Sequence, residues 1–147
     1  MIEILFRGKQ TGGEQWVEGC LIHTPKYCCI LQTEENVHPM DYPYLDNDTG
    51  CIDGYATPVK IDTVGQYIGR TDKNNVKMFE GDIVTGLFLH SMPVNGVVAF
   101  RDGSFGLLWD RAGAVTFTPF TSMCNVEYEV IGNIFDNPEL LKDGDKQ

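Results

Sequence analysis

The chain has 147 residues, 42% hydrophobic and 22% charged, enough to bury an apolar core without disulfide or metal staples. Its 21 acidic and 11 basic residues give a formal net charge of −10, and no Lys/Arg cluster offers the counterion-displacing surface that phosphate binding needs. No apolar run approaches the roughly 18 residues of a membrane-spanning helix, and the scattered acids do not form the dense face of a duplex mimic.

Sixteen Gly and seven Pro fall between short apolar runs, a pattern of many strands joined by tight turns. The N-terminal Met1–Arg7 stretch carries Glu3 and Arg7 and has no apolar core of a secretory signal. Alternation of Ile2, Ile4 and Phe6 predicts a first strand over Ile2–Phe6. A polar turn follows from Gly8 to Glu14, then a second strand over Trp16–Ile22 and a third over Tyr27–Gln32. The stretch from Glu34 to Pro58 is the least regular, with Pro39, Pro43 and Pro58 around Asp46-Asn47-Asp48-Thr49-Gly50. It reads as a long loop and as the boundary between two subdomains.

The pattern sharpens after Thr63. Val64–Gly69 leads through the Asp72-Lys73-Asn74-Asn75 turn, where Asn tolerates positive φ, into a strand over Val76–Phe79. Glu80-Gly81-Asp82 is a tight turn delivering Ile83-Val84 into another strand, and Met92-Pro93 is expected to break the chain. Gly96–Phe100, Arg101-Asp102-Gly103 and Ser104–Trp109 form a hairpin, with Phe105, Leu107 and Trp109 alternating on one face. Val115–Pro119 is a short strand, and Val126, Tyr128 and Val130 alternate with Glu127 and Glu129. Asn137-Pro138-Glu139 has N-cap, N1 and first-turn chemistry for one helical turn. The expected organisation is an N-terminal β subdomain over 1–60, a β core over 61–141 and a frayed tail over 142–147.

Four phrases resemble those of the YopX family of phage and prophage proteins. They are Thr63-Val64-Gly65-Gln66-Tyr67-Ile68-Gly69 with its charged turn, Met78-Phe79-Glu80-Gly81-Asp82-Ile83-Val84, Gly96–Phe100 with Asp102–Phe105, and Glu129–Leu141. Trp16-Val17-Glu18-Gly19 resembles the family's N-terminal W-V-x-G phrase. Ile68 stands where the family commonly has Thr, and Met78 where it has Ile. Ile22–Thr57 matches no shared motif. The resemblance implies a phage or prophage origin and a mostly β fold, and it carries over no catalytic residue. The expected fold is a small antiparallel barrel or sandwich with SH3-like C-terminal hairpins, an N-terminal β subdomain and one short C-terminal helical turn.

Chemistry-bearing residues are few. Cys20, His23, Cys28 and Cys29 offer four soft ligands within ten residues, with Cys51 as a fifth; the Cys-x2-His spacing suits zinc, but no second paired knuckle follows, and Cys28 and Cys29 are adjacent on a strand and point to opposite faces. The odd count of five Cys fits reduced thiols in the cytoplasm. His23, His38 and His90 lie in no nucleophile motif, and the 46–50 segment lacks the terminal Glu of a calcium loop. Glu80 and Asp82 flank a turn, where short acids commonly bond turn amides and less often hold a ligand or metal. Tyr42 and Tyr44, aromatics in a Pro-rich loop, join Glu80 and Asp82 as the candidate contact surface. No cofactor, metal or catalytic residue is expected. The reading is a non-enzymatic protein-binding or regulatory module that contacts a phage or host protein and self-associates through its edge strands. Alternatives are a nucleic-acid adaptor built on an SH3-like barrel, disfavoured by charge, and a metal-dependent enzyme using Glu80 and Asp82.

Overall fold

The computed structural model describes residues 2–32, 56–88, 92–123 and 126–141. Tyr42, Tyr44, His38, Cys51, His90, Cys124, most of the Pro-rich stretch and the 142–147 tail lie outside the described residues. The chain is mostly β, and helical structure among the described residues is confined to 3-10 turns at Ile61–Thr63, Phe120–Ser122 and Pro138–Leu141. No described helix is long and apolar enough to cross a membrane. The chain divides into two compact units, Met1–Gln66 and Tyr67–Gln147.

The first unit contains β1 (Phe6–Lys9), β2 (Trp16–His23), β3 (Cys28–Leu31) and β4 (Ala56–Pro58), hydrogen-bonded antiparallel in the order β4-β3-β2-β1. The start of β5 (Gly65–Thr71) lies on the other side of β1, with Arg7 opposite Gly65. Val17, Ile30 and Val59 form its buried core, with Phe6, Leu21, Cys28 and Val64 packed around them. The first strand is not Ile2–Phe6 as expected. Ile2 and Ile4 are exposed at 77% and 69%, and pairing begins at Phe6. Partners set that register. Trp16 lies opposite Lys9, the Lys9 N–H donates to Thr63 Oγ1 at 2.9 Å, and the Lys60 N–H donates to the Lys9 carbonyl at 2.8 Å.

In the second unit the later part of β5 pairs with β6 (Lys77–Phe79) across an irregularity that contains Gly69. The five strands β7 (Asp82–Phe88), β8 (Met92–Arg101), β9 (Ser104–Arg111), β10 (Ala114–Pro119) and β11 (Tyr128–Asn133) form an antiparallel sheet ordered β10-β9-β8-β7-β11. β10 and β11 are its two ends and are not paired with each other, so the sheet is open and the barrel alternative is set aside. Met78, Val84, Val98, Leu107, Trp109, Phe120, Met123 and Tyr128 make the core. Each large apolar side chain so buried stabilises by roughly 1.5–3 kcal/mol.

Pro93 does not break the chain; it lies inside β8 opposite Leu87. The alternation of the antiparallel ladder explains why. Odd-numbered residues of β8 direct their main-chain groups toward β9, whose pairing with β8 starts only at Gly96. The donor Pro93 lacks would meet no partner strand, so its absence costs little.

Candidate functional site

The turn chemistry read from the sequence converges on one end of the second unit. Asp72 is 7% exposed. Its Oδ1 accepts from the Asn74 and Val76 N–H groups at 2.8 and 2.9 Å, and its Oδ2 accepts from the Val130 N–H at 2.9 Å. The Lys73 N–H donates to the Tyr128 carbonyl at 2.9 Å. The β5–β6 turn therefore covers the outer edge of β11, occupying both an outward donor and an outward acceptor. Burial alone would raise the Asp72 carboxyl, but the N–H groups of Val130, Val76 and Asn74, aided by Lys73, hold it below the ordinary carboxylate value.

The Glu80-Gly81-Asp82 turn is the second anchor. Gly81 sits at φ +88°, a conformation that disfavours any side chain. Its N–H donates to the Val98 carbonyl and its carbonyl accepts from the Ile134 N–H, both at 2.9 Å. Asp82 is 1% exposed and its Oδ2 accepts from the Phe79 N–H at 2.8 Å. Asp82 thus lies inside the turn, where its carboxylate fixes the backbone, while Glu80 is half-buried at the turn's corner. β11 bulges between Val130 and Gly132, and the chain leaves it through Asn133, whose Oδ1 accepts from the Phe135 and Asp136 N–H groups at 3.0 and 2.9 Å. Asn137 Oδ1 accepts from the Asn133 N–H at 3.3 Å.

These turns are the phrases by which the family is recognised, and the family model described as YopX protein matches residues 6–142. The chain belongs to the YopX family. Among solved structures it is similar to the crystal structure of protein EF1440 from Enterococcus faecalis. The identity is 25% and the TM-score 0.51, over 96% of this chain and 99% of that one. None of the curated proteins matches.

At the same end as the Gly81 turn, the YopX sheet presents an exposed aromatic contact. Phe100 and Phe105 close the β8–β9 hairpin as a directly opposed pair, centroids 5.0 Å apart and rings nearly edge-to-face at 65°. Phe100 is 50% exposed, and Phe105 packs against the core. Because Gly81 bonds Val98, Glu80 and Phe100 belong to the same end of the sheet. The neighbouring turn residues Arg101 and Asp102 are exposed. The sequence showed Phe105 as a core-facing residue but carried no sign that Phe100 would lie beyond the core's end.

Farther along the same sheet, a small apolar cleft of about 10 Å³ is lined by Gly86, Val94, Leu107, Trp109, Val126 and Tyr128, among others. It has room for about one water and no polar lining to hold it, so it is a packing gap and not a ligand pocket. The polar ends of its aromatics are engaged: Trp109 Nε1 donates to Thr118 Oγ1 at 2.9 Å and the Tyr128 hydroxyl lies 3.1 Å from Met123 Sδ. The Arg70 guanidinium lies 5.2 Å from the Tyr128 ring and 5.7 Å from the Phe120 ring. Burial raises the Tyr128 hydroxyl pKa, and Arg70 opposes it.

In the first unit the described soft ligands do not converge. Cys20 pairs with Leu31 and His23 with Cys28, so Cys20 stands on the opposite face of the sheet from His23 and Cys28. Burial pushes the Cys28 thiol up, away from the thiolate a metal or a nucleophile requires. Among the described residues no three His, Cys, Asp or Glu side chains lie together as metal ligands. The basic residues there serve a local network that the sequence reading missed. The Arg7 guanidinium lies 4.8 Å from the Trp16 ring centroid and Lys9 Nζ 5.7 Å. Lys9 Nζ also bonds Glu14 at 2.7 Å, with Lys60 at 3.6 Å, and the hydrogen bond from Lys9 is the main cause holding the Glu14 carboxyl below its ordinary value. The signal was available in the R-x-K alternation of β1 opposite Trp16.

Proposed function

We propose that this YopX chain is a non-enzymatic protein-binding or regulatory module of phage or prophage origin, working in the cytoplasm of the bacterial host. The observation that carries the reading is the half-exposed Phe100, held edge-to-face on Phe105. A rigid aromatic that loses little freedom on contact is the kind of residue that dominates protein interfaces. The polar side chains of the family phrases point the same way. Asp72, Asp82, Asn133 and Asn137 accept from backbone N–H groups and hold turns. Tyr42 and Tyr44 are proposed contacts on their sequence setting alone, and Glu80 is the acidic member of the surface. Asp82 acts behind it by fixing the turn.

The test compares affinity-tagged wild type with Phe100→Ala after recovery from infected or lysogenic cells. A phage or host protein held by the wild type should be lost from the variant, while urea unfolding of the two differs by less than about 1.5 kcal/mol, as befits a half-exposed side chain. Equal recovery of that protein by both chains refutes the assignment of Phe100.

A further inference from the structure

We propose that two copies of the chain associate by pairing β10 with β10 about a two-fold axis at Thr116. This is independent of the partner contact at Phe100. The β9–β10 hairpin turns through Ala112 and Gly113, at φ 55° and 87°. Such a two-residue turn hydrogen-bonds Arg111 to Ala114. Antiparallel pairs alternate from there. Ala114, Thr116 and Thr118 direct their main-chain groups at β9, and Val115 and Phe117 direct theirs outward. Pro119 follows in the same outward phase and has no N–H to offer. The usable edge is therefore the N–H and C=O of Val115 and Phe117.

That edge is complementary to itself. With Thr116 opposite Thr116 of a second copy, Val115 faces Phe117 in each direction, and the two pairs make four main-chain hydrogen bonds. The same register brings Val115, 76% exposed, against the second copy's Phe117. It places Pro119 just past the paired segment at both ends. No charged residue occurs in Ala114–Pro119, so the facing positions bring no like charges together despite the chain's net charge of −10. Edge strands are ordinarily blunted by Lys, Pro, shortness or a cover. The other end of this sheet has a cover, since Asp72 and Lys73 occupy the outward groups of Val130 and Tyr128. In the first unit the end strand β4 has three residues and finishes in Pro58. Over its usable length β10 has none of these devices among the described residues. One strand pair buries less than the area of a permanent interface, so the dimer is reversible.

Sedimentation equilibrium of the full chain over a wide concentration range reads the association. Wild type is expected to pass from monomer to dimer as concentration rises. Val115→Pro removes an outward N–H from each copy without touching the β9 ladder, and should weaken the dimer by about tenfold or more for two lost hydrogen bonds. Val115→Lys puts a charge on an already exposed position and should do the same if the proline variant folds poorly. Thr116→Cys under mild oxidation should give a disulfide between the two introduced thiols, one from each copy, identified by peptide mass spectrometry. A wild type that stays monomeric to its solubility limit overturns the proposal. So does a dimer that survives both Val115 variants, or one that crosslinks only through native cysteines.

Discussion

Asp72 permits the sharpest test of how this fold is held. One buried carboxylate accepts three backbone N–H groups, two inside its own turn through Oδ1 and one from Val130 through Oδ2. Hydrogen bonds to a charged group contribute about 1.5–3 kcal/mol each and are not additive. Asp72→Asn keeps an acceptor for the turn but sets an amide NH2 against the Val130 N–H, so it should cost about 2 kcal/mol, one bond's worth. Asp72→Ala leaves all three donors unmet and should cost about 3–5 kcal/mol.

The pH dependence separates charge from shape. The folded-state pKa of Asp72 lies below its ordinary value. Its contribution is therefore complete above the unfolded pKa and is lost as pH falls through the folded one. The gap between wild type and Asp72→Asn should be full near neutrality and shrink as pH falls below the ordinary carboxylate range and through the lowered folded-state pKa. Urea unfolding followed by Trp109 fluorescence in a Trp16→Phe background reads the second unit. Hydrogen exchange at the Val130 amide reads the bond itself. If Asp72→Asn unfolds like wild type and Val130 exchange is unchanged, the turn does not hold β11 and the reasoning fails.

Two further predictions use the same logic. A Cβ on Gly132 would stand 2.5 Å from Asn137 Oδ1, so Gly132→Ala should cost about 1–3 kcal/mol in urea unfolding. Added to Asn137→Gly it should cost much less, because Oδ1, Cγ and Cβ, which would stand 2.5, 2.8 and 2.9 Å away, are all gone; full additivity in the double-mutant cycle counts against the contact. At mildly alkaline pH, iodoacetamide should modify exposed Cys20 before Cys28, whose thiol is raised by burial. Peptide-resolved mass spectrometry that finds Cys28 reacting as fast as Cys20 would contradict the partly buried placement of Cys28.

Local turn chemistry made much of the second unit legible. Asp102-Gly103 has the positive φ values its hairpin needs, Asn75 sits at φ 64° as Asn-Asn permits, and Gly81 marks the turn before β7. Phe105, Leu107 and Trp109 do share a core-facing side. What failed depended on partners distant in sequence. Alternation made Ile2, Ile4 and Phe6 look like a strand, but it carries no record of whether a partner exists. Pairing with Trp16 and bonding to Thr63 placed the strand one segment later. Pro93 was misread for a related reason. A proline is forbidden only where a neighbour expects its N–H, and that depends on where β9 begins. The contact side of the molecule was the least legible. Phe100 lies on the same face as Val98, and only the end of the core, invisible to periodicity, separates an exposed ring from a buried one.

The turn-holding residues of the phrases and the open surfaces play different physical parts. Asp72, Asp82, Asn133 and Asn137 present acceptors to backbone donors, and Gly81 and Gly132 allow the chain to pass where a side chain would strain or collide. A phrase made of such residues specifies a turn and its docking partner, so it identifies the family without disclosing an activity. The contacts proposed at Phe100 and Val115 are exposed side chains that hold no turn, Phe100 inside a phrase and Val115 outside one. Phe100 stands at the tip of one hairpin, and Val115 lies on the edge of the next. The two classes should separate by experiment. Altering Asp72 or Gly132 lowers stability, and association falls only as the folded population falls. Altering Val115 or Phe100 changes association in a chain that remains folded. A substitution at one of the turn-holding residues, Asp72, Asp82, Asn133 or Asn137, that abolished association at full stability would break that division.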